Sequence, residues 1–146
     1  ADVSDKNSFK EQLKVSESSG NYNVVSTQKN KEYVGAYQFG KARLDDYRKA
    51  KGTDFSKQDF IDNPKLQDQV YAWHVQDIRE AILKSGVYDK IGTTIKCIPV
   101  TMNGLIAVAH LGGKQGMTDF INSNGKLDEQ DKNGTKMSTY LRRFSS

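Results

Sequence analysis

Cysteine is almost missing from this chain. Cys97 is the only one in 146 residues, so no disulfide can close within the chain. Histidine is nearly as scarce, with His74 and His110 alone. Two His and one Cys far apart in sequence give no zinc spacing, and no metal or cofactor is expected. No His lies within helical reach of Cys97, which therefore reads as a small buried apolar residue rather than a nucleophile. Long hydrophobic runs are absent as well. Nothing approaches the roughly 18 apolar residues that span a bilayer. There is no run of five Lys or Arg and no arginine-rich helix, which argues against a nucleic-acid binder. The chain opens Ala1-Asp2-Val3 without an initiator Met. That is the start expected of a mature secreted or periplasmic chain after signal cleavage, and equally of a trimmed one.

What is present is an ordinary soluble balance, with 36% hydrophobic and 27% charged residues. At this length one domain over residues 1–146 is expected, with 1–8 a loose polar lead-in. Seven Tyr against six Phe suit a polar groove, because the ring stacks while the hydroxyl hydrogen-bonds. The net charge of +4 and pI near 9.1 suit a polyanionic partner such as a membrane surface or a bacterial wall.

The periodicity predicts a mainly α chain with seven or so helices and little strand. A first helix should run from Asp5 or Ser8 to Ser18. Tyr22, Val24 and Val25 favour strand, and Gln28-Lys29-Asn30-Lys31 reads as a turn. Gly35 to Gly40 has a Gly at each end, where backbone can approach closely. A helix from near Gly40 to Ala50 should turn Leu44 and Tyr47 inward and stop at Gly52. Ser56 with Asp59 resembles a capping box. Asn63-Pro64 is a clearer start, Asn as cap and Pro at the first helical position. It opens the longest helix, up to Gly86. Val87–Ile91 suits one helical turn, and Lys96–Val100 is β-prone but broken by Pro99. Thr101–Leu111 is apolar almost all round, as a buried helix is, and ends at Gly112-Gly113. Short helices at Met117–Asn122 and Met137–Phe144 complete the pattern.

Glu17 carries the chemistry in this reading. It closes the pattern of Phe9 and Leu13 and stands three residues before Gly20, so it should lie in the last turn of the first helix. The dipole's negative end disfavours an anion there, and a partly dry site would raise the carboxyl pKa further. A carboxylic acid that keeps its proton near neutral pH can protonate a glycosidic leaving oxygen. The plain alternative is a solvated helix-end Glu.

Four stretches in order resemble the lysozyme-like superfamily, especially soluble lytic transglycosylases and goose-type lysozymes. Glu17-Ser18-Ser19-Gly20 is similar to the family's Glu-Ser opening. Gly35-Ala36-Tyr37-Gln38-Phe39 resembles its Gly-Leu-Met-Gln segment. Ala107-Val108-Ala109-His110-Leu111-Gly112-Gly113 resembles its Ala-Tyr-Asn-Ala-Gly segment. Met137 to Phe144 resembles its C-terminal Glu-Thr-x-x-Tyr-Val block. The resemblance spans roughly residues 9–144. It departs from the family at Tyr37, which replaces Met, and at His110, where the family has a small residue or Asn.

The resemblance implies a helical domain with a saccharide cleft, little or no β-sheet, and Glu17 as general acid and then base on peptidoglycan. It implies substrate contacts from Ser18, Tyr37, Gln38, His110 and Tyr140. For Tyr37 and Gln38 the alternative is a core Tyr and an internally satisfied Gln; for His110 and Tyr140 it is packing. His74 reads as structural.

Hydrolytic glycosidases usually pair two carboxylates. Glu32, Asp45 and Asp46 follow Glu17 in sequence, but none has a convincing second-acid context. A lytic transglycosylase can work with one acid, and that tilts the expectation toward it. A muramidase, a chitin hydrolase and a non-catalytic glycan-binding module are the rivals. A wall-cleaving enzyme could also meet an inhibitor or immunity protein. Asp128 to Gly134 faintly echoes a calcium loop without its ligand alternation or closing Glu.

Overall fold

A computed structural model of the chain describes residues 8–28, 30–128 and 134–145. The lead-in through residue 7, and 129–133 of the faint calcium-loop echo, lie outside those residues. The fold divides within one long helix into two compact units, the first ending at His74 and the second starting at Val75.

The first unit opens with α1, Phe9–Ser18, capped by the Ser8 hydroxyl, which accepts from the Glu11 amide. The helix ends where Ser19 (φ 57) and Gly20 (φ 84) turn left-handed. Ser19 N–H returns to Val15 C=O and Gly20 N–H to Lys14 C=O. Three antiparallel strands follow: β1 Val25–Gln28, β2 Lys31–Val34 and β3 Phe39–Gly40. Gln28 pairs with Lys31 and Val34 pairs with Phe39.

The sheet is small, in keeping with the expectation of little strand, but its pairing was not readable from the sequence. Strands of two to four residues are too short to show alternation, and β3 hides inside a Gly-bounded segment. Gln28 pairs with Lys31, so the chain reverses where the sequence placed a turn.

Next come α2, Lys41–Lys51, then α3, Lys57–Ile61, and α4, Pro64–Ser85. The start and stop signals worked as read. Gly52 is left-handed beyond α2, and Leu44 and Tyr47 are buried. Ser56 and Asp59 form a reciprocal capping box. Asn63 Oδ1 accepts from the Leu66 amide.

In the second unit the rest of α4 buries Ile78 and Ile82. A 3-10 turn, Val87–Lys90, leads to a hairpin of β4, Thr94–Ile95, and β5, Ile98–Pro99. Lys96 (φ 51) and Cys97 (φ 63) form its two-residue connection. Positive φ at both positions is the primed turn that suits strand twist. It lifts Cys97 out to solvent, so the expectation of a buried apolar cysteine is wrong. The turn needs an exposed tip, and hydrophobic character did not decide the matter. Left-handed backbone is costly for a residue with a Cβ. Cys97→Gly is therefore expected to stabilise the chain by about 0.5–1 kcal/mol. A higher urea midpoint at unchanged slope would show it; a lower midpoint would refute this account of the turn.

α5, Met102–Asn122, is buried over Gly104–Ala109 and broken at Gly113, whose φ of 80 and ψ of 167 are not helical. The stop read at Gly112-Gly113 is thus a kink between two helical pieces. α6, Met137–Arg143, packs on α5. Small residues set that approach: a Cβ on Gly104 would lie 2.8 Å from Leu141 Cδ1, and one on Gly112 2.8 Å from Met137 Sδ.

Asp128 holds the start of α6. Its carboxylate accepts from the Ser138 amide (3.0 Å) and hydroxyl, and pairs with Lys96 at 3.3 Å. Burial alone would push this carboxyl up, but the Ser138 donors and the Lys96 ammonium hold it below the usual range. A depressed folded-state pKa contributes stability above the unfolded value of about 3.9, and that stability is lost as pH falls further. Asp128→Asn is expected to cost about 2 kcal/mol at pH 7. The two melting curves should converge as the pH drops below 4. A gap that persists at acid pH would contradict the electrostatic account.

Candidate functional site

Glu17 lies half-buried in the last turn of α1, as its spacing to Gly20 required. No basic residue shares that turn, so none offsets the negative end of the helix dipole from within it. Its neighbour Ser18 is buried. The Ser18 hydroxyl donates to Ala36 C=O at 2.7 Å, with the Lys14 carbonyl at 3.1 Å as a second acceptor. This bond ties the end of α1 to the Gly35–Gln38 turn, which joins the first two stretches of the resemblance. It also occupies the one proton that Ser18 could offer a substrate.

The turn itself is built from strained and crowded backbone. Gly35 has φ 84, and a Cβ there would stand 2.3 Å from Gln67 Oε1. Gln38 holds φ 56 although it is not glycine. Its side chain compensates by internal bonding: Oε1 accepts from Ser26 Oγ, and Nε2 donates to Gly35 C=O (3.0 Å) and Val24 C=O (3.3 Å). Tyr37 is 0% exposed. It stacks on Tyr71 with centroids 4.6 Å apart and donates its hydroxyl to Asp68 Oδ1 at 2.7 Å. Burial and the Asp68 carboxylate push the phenol far above the ordinary tyrosine range. Ser18, Tyr37 and Gln38 thus have interior side chains, each bonded within the protein.

Two adjacent residues of α4 hold this arrangement, and sequence reasoning missed both. Gln67 is 0% exposed. Its Oε1 accepts from the Ala36 amide at 2.8 Å, and its Nε2 reaches Tyr22 C=O at 2.8 Å, Phe60 C=O at 3.0 Å and Ile61 C=O at 3.3 Å. Asp68 Oδ1 accepts from Tyr22 as well as Tyr37, at 2.9 Å. Lys14 donates to the Tyr22 hydroxyl at 3.1 Å and pairs with Glu11 at 3.1 Å. Lys10 faces Asp68 Oδ2 at 3.6 Å. Tyr22, Ala36 and Tyr37 stand 31 to 46 residues before the α4 residues they bond. Only the adjacency of a Gln and an Asp after Asn63-Pro64 was visible in the sequence.

The other acids are paired at the surface. Glu32 meets Lys57 at 2.8 Å. Asp45 meets Lys41 and Arg48, both at 2.8 Å; the Lys41 bond leads in holding its carboxyl below the usual range. Asp46 faces Arg43 at 3.5 Å. Buried His74 accepts from Arg43 Nε at 2.8 Å and meets Phe39 edge-on, a structural role as expected. In the second unit His110 is half-buried on α5 just before the Gly112-Gly113 break. Tyr140 is buried on α6, edge-on to Phe144. Here too the structure joins two stretches of the resemblance, through the close approach of Gly112 to Met137.

Among the described residues no group of three or more His, Cys, Asp or Glu is placed to hold a metal. No described helix is long and apolar enough to cross a membrane. Comparison of the chain with protein-family models, curated proteins and solved structures finds no match.

Proposed function

We propose that this chain cleaves the β-1,4 bond between N-acetylmuramic acid and N-acetylglucosamine in peptidoglycan, with Glu17 as general acid and then base. The observation that carries this reading is the buried Ser18–Ala36 bond of 2.7 Å. It ties the helix end that carries half-buried Glu17 to the Gly35–Gln38 turn, and the proposed chemistry would use that pairing. A proton donor must be fixed relative to the floor on which a sugar would lie.

Glu17 gives its proton to the glycosidic oxygen as the bond to C1 breaks. The resulting carboxylate then takes the proton of the C6 hydroxyl on the same muramic acid. O6 closes onto C1, giving a 1,6-anhydro sugar without consuming water. One acid suffices for this sequence. The engagement of Glu32, Asp45 and Asp46 with surface cations supports it over a two-carboxylate hydrolysis. In this reading Ser18, Tyr37 and Gln38 shape the cleft floor from inside, and Tyr140 supports the second unit. The basic charge favours the anionic wall. Such work is done outside the cytoplasm, where an inhibitor or immunity protein could block it.

Mass analysis of a peptidoglycan digest tests the mechanism. Anhydro-muropeptides are expected. Products one water heavier would replace the transglycosylase with a muramidase. Binding of glycan without products would leave a glycan-binding module.

A further inference from the structure

The hydrogen bonds of Asp68 converge on one stripe of α1. Lys10, Lys14 and Ser18 follow each other at intervals of four, so they share a face of the helix. Each is linked to Asp68 by a different route. Lys10 faces it directly at 3.6 Å. Lys14 reaches it through the Tyr22 hydroxyl, which receives from Lys14 at 3.1 Å and donates onward at 2.9 Å. Ser18 reaches it through Ala36 and the next residue, Tyr37, whose hydroxyl donates at 2.7 Å.

Glu17 lies on the neighbouring stripe, four residues after buried Leu13. Any rotation of α1 about its axis therefore swings the Glu17 carboxyl. The hydrophobic burial of Leu13 sets no angle of its own, whereas hydrogen bonds are directional.

We propose that Asp68 is a positioning residue for Glu17, setting the rotation of α1 through Tyr22 and Tyr37. The catalytic part of this inference rests on reading Glu17 as the acid; the geometric part does not. Asp68 touches no reacting atom. It acts by holding both phenols on one carboxylate oxygen.

The test compares wild type, Asp68→Ala and Asp68→Asn. With peptidoglycan as substrate, kcat of Asp68→Ala is expected to fall by up to about 10²-fold, the cost of misplacing a reacting group by roughly 1 Å. KM should hold, because no contact with the substrate is lost. Asp68→Asn keeps one acceptor oxygen and should recover part of the loss. A merely structural role would lower the melting temperature of both variants and leave kcat per folded molecule unchanged, which overturns the proposal.

A second readout needs no activity. The carbon-13 shift of the Glu17 carboxyl and the amide shifts of Ser18 and Ser19 should move in Asp68→Ala, while the Asp59 carboxyl in its capping box stays put. Unmoved Glu17 signals would overturn the inference. If wild type fails to cleave peptidoglycan, the acid reading falls, and these shifts still decide the geometry. Should Asp68→Ala not fold, Tyr22→Phe with Tyr37→Phe removes both donors and carries the same measurements.

Discussion

Glu17→Gln is expected to lower the rate of glycan cleavage by about 10³-fold, within the usual 10²–10⁴ contribution of a general acid–base group. The substitution keeps size and shape but removes the proton that the proposed first step transfers and the carboxylate that the proposed second step uses. Gln at this half-buried site should cost little stability, so the melting temperature should stay near that of wild type. Glu17→Asp should also lose activity, because it retracts the carboxyl along a helix whose end is pinned by Ser18. A Glu17→Gln protein that still turns over within about tenfold of wild type would remove Glu17 from the acid role.

Gln67→Leu should have the largest effect on stability, about 4 kcal/mol. The Ala36 amide and the Tyr22 carbonyl would each lose a bond of 2.8 Å. A buried polar group left unpaired costs roughly 1–3 kcal/mol. Set against a typical total of about 5–15 kcal/mol, that is enough to leave the chain marginal. Urea denaturation reads it directly, and a loss under about 1 kcal/mol would show that Gln67 is not the clip described. Gly35→Ala adds a separate check. Its Cβ would stand 2.3 Å from Gln67 Oε1, so the clash depends on that side chain. Combined with Gln67→Ala, it should cost less than the sum of the two single changes, as residues in contact do.

Local signals were the legible part of this fold. Ser8, Gly20, Gly52, Ser56 with Asp59, and Asn63-Pro64 each act within a few residues of themselves, and each starts or ends a helix where the sequence placed it. The position of Glu17 in the last turn of α1 follows from the same signals. The pairing of the small sheet was not legible. It joins strands of two to four residues, too short for a period to emerge. Cys97 was misread because turn geometry placed it, and its apolar character had no say.

The resemblance singled out Ser18, Tyr37 and Gln38, but it could not say that their side chains turn inward. Gln67 and Asp68 carry no local signature. Their importance arises only when the chain brings Tyr22, Ala36 and Tyr37 to α4 from 31 to 46 residues away.

The most direct measurement is the release of soluble muropeptides from purified peptidoglycan by the wild-type chain and by Glu17→Gln, followed over time at equal protein concentration. Release by the wild type alone, as 1,6-anhydro products, is the predicted result. No release by the wild type, or equal release by both proteins, would contradict the assignment of glycan cleavage to Glu17.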